Sequence, residues 1–98
     1  VPASPQRPTV SPKAGRSVEA TVTRGALNGG TFVKTVTWCT STNGGTTRGY
    51  TSTSAATTVR VTVAGLTAGK SYSCYAYTWS TIGRGPASER SSTFTAKA

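Results

Sequence analysis

Val59-Arg60-Val61-Thr62-Val63-Ala64-Gly65-Leu66-Thr67-Ala68-Gly69-Lys70-Ser71-Tyr72-Ser73-Cys74-Tyr75-Ala76-Tyr77-Thr78 is the stretch whose reading decides the fold. Two runs of period two flank a glycine-containing connection, which is how one β-strand hands over to the next. In the first run Val59, Val61 and Val63 share a face and Arg60 and Thr62 take the other. In the second, Tyr72, Cys74, Ala76 and Thr78 lie on one side; Ser73, Tyr75, Tyr77 and Trp79 lie on the opposite one. Each run therefore offers one apolar face to a core and one face to its surroundings.

Working outward, Ser17 to Thr23 alternates in the same way, with Val18, Ala20 and Val22 inward and Glu19, Thr21 and Thr23 outward. A short strand near Thr9 to Ser11, bounded by Pro8 and Pro12, fits a sheet edge. Residues 1–8, with three prolines and no pattern, read as a linker or lead-in, leaving 9–96 as the domain. Lys13 to Arg16 turns through Gly15, and Arg24 to Thr31, with Gly25, Asn28, Gly29 and Gly30, is a loop. Phe32 to Thr40 is a third long strand whose faces conflict: Phe32, Val36 and Trp38 share one parity, Val33 and Cys39 the other. A bulge, or a strand covered on both sides, would reconcile them. Asn43-Gly44-Gly45 is a turn, Thr46 to Tyr50 a polar strand, Thr51 to Thr57 patternless, Thr81 to Ala87 a loop, and Glu89 to Thr95 a last strand anchored by Phe94. Seven short strands without helical periodicity predict an all-β, two-sheet sandwich.

Composition bounds function. The 98 residues make one domain, too small for a deep enzyme cleft. Eleven Lys and Arg against Glu19 and Glu89 give a net charge of +9. That charge biases the chain toward anionic partners: an acidic protein surface, acidic glycans, cell-wall polymer or nucleic acid. Because the basic residues are spread singly, it also fits an ordinary solvated surface. Nucleic acid is disfavoured, since no run of cations marks a groove. No apolar run approaches a membrane span.

Histidine and aspartate are absent, so a Ser/His/Asp or Cys/His constellation cannot be built, and the chain is expected not to be an enzyme. Two cysteines and two glutamates fall short of a structural zinc or calcium site, so neither metal nor cofactor is expected. Cys39 and Cys74 each lie in a β-like run; in a short Ser/Thr-rich chain they point to one disulfide and an oxidising compartment, the other reading being two buried thiols.

The segment Gly65-Leu66-Thr67-Ala68-Gly69-Lys70-Ser71-Tyr72, with Gly83-Arg84-Gly85-Pro86-Ala87-Ser88 and the Val18/Ala20/Val22 strand, resembles a fibronectin type III domain over roughly residues 5–96. With Cys39 and Cys74 it looks like the disulfide-containing kind found in secreted actinobacterial proteins. The resemblance implies a seven-stranded immunoglobulin-like sandwich in which Leu66 plugs the core and Tyr72 forms a corner hydrogen bond to nearby backbone. It also implies that the two cysteine-bearing strands are antiparallel neighbours. The chain departs from the family where Val22 stands in place of a core Trp, so Trp38 would supply that volume or the core would be thinner. In Gly83-Arg84-Gly85-Pro86 no Asp follows the second glycine, which removes an Arg-Gly-Asp adhesion reading.

The candidate binding surface is aromatic. Tyr75, Tyr77 and Trp79 point away from the expected core, Trp38 joins them from the neighbouring strand, and Lys34 and Arg60 would rim them only if their strands belong to that sheet, which holds more readily for Lys34. Such rings serve as cross-strand pairs, as a docking surface for a protein partner or a second copy, or as a platform for sugar rings. The expected function is a non-catalytic interaction, spacer or self-assembly module of an exported or cell-surface bacterial protein. The alternative is an accessory carbohydrate-binding module of a secreted polysaccharide-degrading enzyme.

Overall fold

The structure is a computed structural model that describes residues 3–25, 29–53 and 57–98; Asn28 of the first loop and the middle of the 51–57 stretch lie outside the described residues. The described strands are β1 (Thr9–Lys13), β2 (Ser17–Thr23), β3 (Phe32–Ser41), β4 (Arg48–Ser52), β5 (Thr58–Val63), β6 (Ser71–Ser80), β7 (Gly83–Arg84) and β8 (Phe94–Thr95). They form two antiparallel sheets, one ordered β1-β2-β5 and the other β4-β3-β6-β7, with β8 also paired to β6. The all-β sandwich expected from the sequence is the fold observed. The connection Ala64–Lys70 carries the chain from the first sheet to the second, so the two organising runs belong to different sheets.

Period two placed the core residues. Val18, Ala20 and Val22 of β2 and Val59, Val61 and Val63 of β5 are buried, as are Tyr72, Cys74, Ala76 and Thr78 of β6. The conflict on β3 resolves as a bulge. The register slips between Phe32 and Lys34, which puts Phe32 opposite Ser80, on the inner parity, while Thr35, Thr37 and Cys39 point inward further along. Trp38 is thereby turned outward and does not supply core volume. The largest fully buried side chains are Tyr72 and Leu66, so the core is thin and built mostly of valine, alanine and threonine.

Two expected strands lie differently. The polar strand expected at Thr46 to Tyr50 runs from Arg48 to Ser52, because the Thr46 carbonyl and amide are taken by Tyr72 and Thr67 instead of a strand partner. The last strand, expected from Glu89, is regular only at Phe94–Thr95. Before it, three residues of the segment advance for every two of β6: Gly85 N–H donates to Thr78 O, Ser88 N–H to Ala76 O, and Ser91 N–H to Cys74 O. Two β6 amides left without a main-chain acceptor, Ala76 and Cys74, donate to Ser88 Oγ and Ser91 Oγ, each at 2.9 Å. The loop expected at Thr81 to Ala87 also contains the two-residue β7, paired to the end of β6.

The buried Thr37 and Thr78 hydroxyls have no hydrogen-bond partner among the described residues. An unmet buried hydroxyl costs free energy that an isosteric methyl would not. Thr78→Val is therefore expected to stabilise the domain by about 1 kcal/mol, read as a rise in the urea midpoint; an unchanged or lower midpoint would show that the hydroxyl is satisfied.

Candidate functional site

The outer face of the β4-β3-β6-β7 sheet is assembled by strand register. On β6 the outward residues are Tyr75, Tyr77 and Trp79; opposite them on β3 stand Trp38, Val36 and Lys34. On β4, Gly49 lies opposite Trp38. Glycine is required there because the indole lies against the β4 backbone: a Cβ at position 49 would come within 2.6 Å of Trp38 Cε3. Trp38 Nε1–H donates to Tyr77 Oη at 3.0 Å, so Trp38 and Tyr77 form one unit.

Each ring of β6 on this face carries a cation. The Arg90 guanidinium carbon sits 4.9 Å from the Tyr75 centroid, Arg84 4.5 Å from Tyr77, and Lys34 Nζ 5.7 Å from Trp79. These are stacking distances at which the ring quadrupole attracts the charge. Arg90 is further fixed by donating to Thr40 Oγ1 at 2.6 Å and Ser73 Oγ at 3.3 Å. Among the described residues no hydrogen bond or ion pair is seen for the Arg84 guanidinium or the Lys34 ammonium; the ring contact is what positions each.

The structure thus brings together Trp38, Tyr75, Tyr77, Trp79 and Lys34. Arg60 is not part of the group: it lies on β5, in the other sheet. Sequence reasoning missed Arg84 and Arg90, because the segment holding them was read as a loop followed by a regular strand. A signal was present. Gly85, Ser88, Ser91 and Phe94 are buried at every third position, and the spacing G-x-x-S-x-x-S-x-x-F carries that period. This three-for-two advance along β6 leaves Arg90, next to the buried Ser91, over Tyr75, while its neighbour Glu89 pairs with Arg7 of the lead-in.

The remaining named residues are structural. Cys39 and Cys74 are directly opposite on β3 and β6 and form a disulfide, with Cα atoms 4.1 Å apart. Tyr72 Oη accepts from Thr67 N–H at 2.8 Å and donates to Thr46 O at 2.9 Å. Its ring stacks on Phe94. Leu66 is buried beside it in the core cluster. Among the described residues no group of three or more His, Cys, Asp or Glu could hold a metal ion, and no helix is long and apolar enough to cross a membrane.

No protein-family model matches the chain, and no curated protein matches it in sequence. Solved structures do. Domains A168-A170 from titin match with a TM-score of 0.84 and 23% identity over 100% of this chain, which spans 33% of that titin chain. The FN5 domain of Drosophila Lar matches with a TM-score of 0.74 at 16% identity, covering 100% of this chain and 99% of that one. A fibronectin type III domain derived from a human protein, KIAA0970, matches with a TM-score of 0.72 at 19% identity, covering 98% and 74%. At these identities the likeness shows the fold alone: a β-sandwich whose structural neighbours are fibronectin type III domains.

Proposed function

We propose that the chain is a non-catalytic interaction and spacer module of an exported or cell-surface bacterial protein, and that it meets a protein partner through the outer face of the β4-β3-β6-β7 sheet. The observation that carries this is the row Tyr75, Tyr77 and Trp79, held outward in register with Lys34 and Trp38. The spacer role is supported by the chain path. Gln6 N–H donates to Thr23 O at one end of β2, and Gly15 N–H donates to Ala98 O near the other end. The two ends of the described chain therefore leave from opposite ends of a body 42 Å long and 20 × 17 Å across. Gln6 and Arg7 of the lead-in are docked on the sandwich, so other domains can be strung from its two ends while the face stays free. The disulfide supports an oxidising, extracellular setting.

The charges on this face favour a different molecule over a second copy as partner, since Lys34, Arg84 and Arg90 would repel their counterparts in a face-to-face dimer. The accessory carbohydrate-binding reading is supported less well: a cation already occupies a face of each β6 ring, where a sugar would stack.

The test is Tyr77→Ser with Trp79→Ser. We expect the double variant to keep its circular-dichroism spectrum and lose roughly 1 kcal/mol of stability, as exposed cross-strand pairs do. Affinity for ligands found by screening extracellular proteins and glycans against the wild type should fall at least about tenfold. Failure to fold would assign the rings to holding the sheet together; full affinity would move the interaction elsewhere.

A further inference from the structure

We infer that the ring-and-cation row is a receptor for an extended acidic segment of a partner protein, one with a carboxylate at every second residue. This rests on the docking-face reading above and adds the chemistry of the partner.

The first support is charge complementarity. Three cations lie on one face, over Tyr75, Tyr77 and Trp79. The side-chain carboxylates of the chain are Glu19 and Glu89, and both are elsewhere. Glu19 is on β2 of the opposite sheet, between Ser11 and Thr62, and Glu89 is paired with Arg7. The chain supplies this face with no counter-ion, which leaves the role to an incoming ligand.

The second support is availability. Arg90 spends donors on Thr40 and Ser73, whereas for the Arg84 guanidinium and Lys34 ammonium no hydrogen bond is seen among the described residues. A guanidinium held by stacking keeps its N–H edge open for a carboxylate, and because it is already ordered, binding costs it little side-chain entropy.

The third support is spacing. Tyr75, Tyr77 and Trp79 are two residues apart on one strand, so the rings repeat at about 6.7 Å, the two-residue rise of a β-strand, and each holds its cation within 5.7 Å of its centroid. An extended peptide repeats its same-side residues at that interval. Alternate Asp or Glu would meet Arg90, Arg84 and Lys34 in turn, the intervening side chains facing solvent.

The experiment is a titration of the whole isotopically labelled chain, followed residue by residue by NMR, with an end-blocked (Glu-Thr)4 peptide. Its comparators are (Gln-Thr)4, the block isomer Glu4Thr4 and a carboxylated oligosaccharide of equal charge. We expect (Glu-Thr)4 to shift the amides of β3, β6 and the Gly83–Arg90 segment, to bind at least about tenfold more tightly than (Gln-Thr)4, and to weaken steeply as salt rises from roughly 0.05 to 0.5 M. The block isomer should bind about threefold or more weaker, a modest step because total charge is unchanged. Lys34→Gln with Arg84→Gln should cost about tenfold, and Arg60→Gln with Lys70→Gln, away from the row, should cost less than about twofold.

Equal binding of the block isomer, equal loss in the Arg60/Lys70 variant, or tighter binding of the oligosaccharide would overturn the inference. Equal binding of (Gln-Thr)4 on the same amides would also overturn it and leave the docking face standing. The face itself falls only if Tyr77→Ser with Trp79→Ser keeps full affinity for the screened ligands.

Discussion

Replacing both Cys39 and Cys74 with alanine is expected to lower the free energy of unfolding by about 4 kcal/mol, the chain-entropy value for a closed loop of this size. The two cysteines are 35 residues apart in sequence and directly opposite across two paired strands. Backbone pairing already places their Cα atoms side by side, so the bond's main effect is on the unfolded chain, which loses the freedom to separate β3 from β6. The effect is large relative to the rest of the molecule. A domain this small typically holds a net 5–15 kcal/mol, roughly, and here the inner faces carry valine, alanine and threonine, with no tryptophan in the buried core. The melting temperature should fall by about 15–30 °C, at the usual 4–8 °C per kcal/mol for a chain of this length. Denaturant unfolding of the oxidised wild type, the reduced wild type and the double variant measures it. A loss below about 1 kcal/mol would show that the sandwich does not depend on the bond.

Tyr72→Phe is the second large effect, about 2 kcal/mol of destabilisation. The ring should stay in place, stacked on Phe94, so packing is kept and only the hydroxyl is lost. That oxygen joins two segments distant in sequence, accepting from the Thr67 amide in the crossover between sheets and donating to the Thr46 carbonyl ahead of β4. The site is tight: a Cβ on Gly45 would come within 2.5 Å of the hydroxyl, which leaves little room for a water to replace it. Both main-chain groups would lose their partner, and an unmet part-buried polar group costs more than the net worth of the bond that met it. Urea unfolding reads the change directly. An unchanged midpoint would mean that water reaches Thr46 and Thr67 once the hydroxyl is gone.

The positive charge takes on a different meaning in three dimensions. Along the chain Lys34, Arg84 and Arg90 are separate residues, and only Lys34 is assigned to the rings by sequence. On the folded sheet they come together because β3 and the segment after β6 flank the same strand on its two sides, so that one central row of rings collects a cation from each flank. A surface of this kind acts through electrostatic complementarity, which governs partner choice and encounter rate more than bulk affinity.

The sequence by itself determined β2, β5 and β6 and the sidedness of their residues, because the side-chain period of an extended chain is fixed at two by backbone geometry. Val18, Ala20 and Val22, Val59, Val61 and Val63, and the split of Tyr72 and Cys74 from Tyr75 and Tyr77 all follow from counting, and so does the outward row of rings. Tertiary structure alone decided what counting cannot reach. Whether Phe32 or Trp38 faced the core depended on one bulge, a local change of register that reverses parity on either side of it. The placement of Arg84 and Arg90 depended on a segment that advances three residues to two of its neighbour, held by Ser88 and Ser91 hydroxyls acting as acceptors for β6 amides. Such pairing is a property of two chain segments together; neither carries it alone, and so the cations that complete the face were visible in the sequence only as isolated charges.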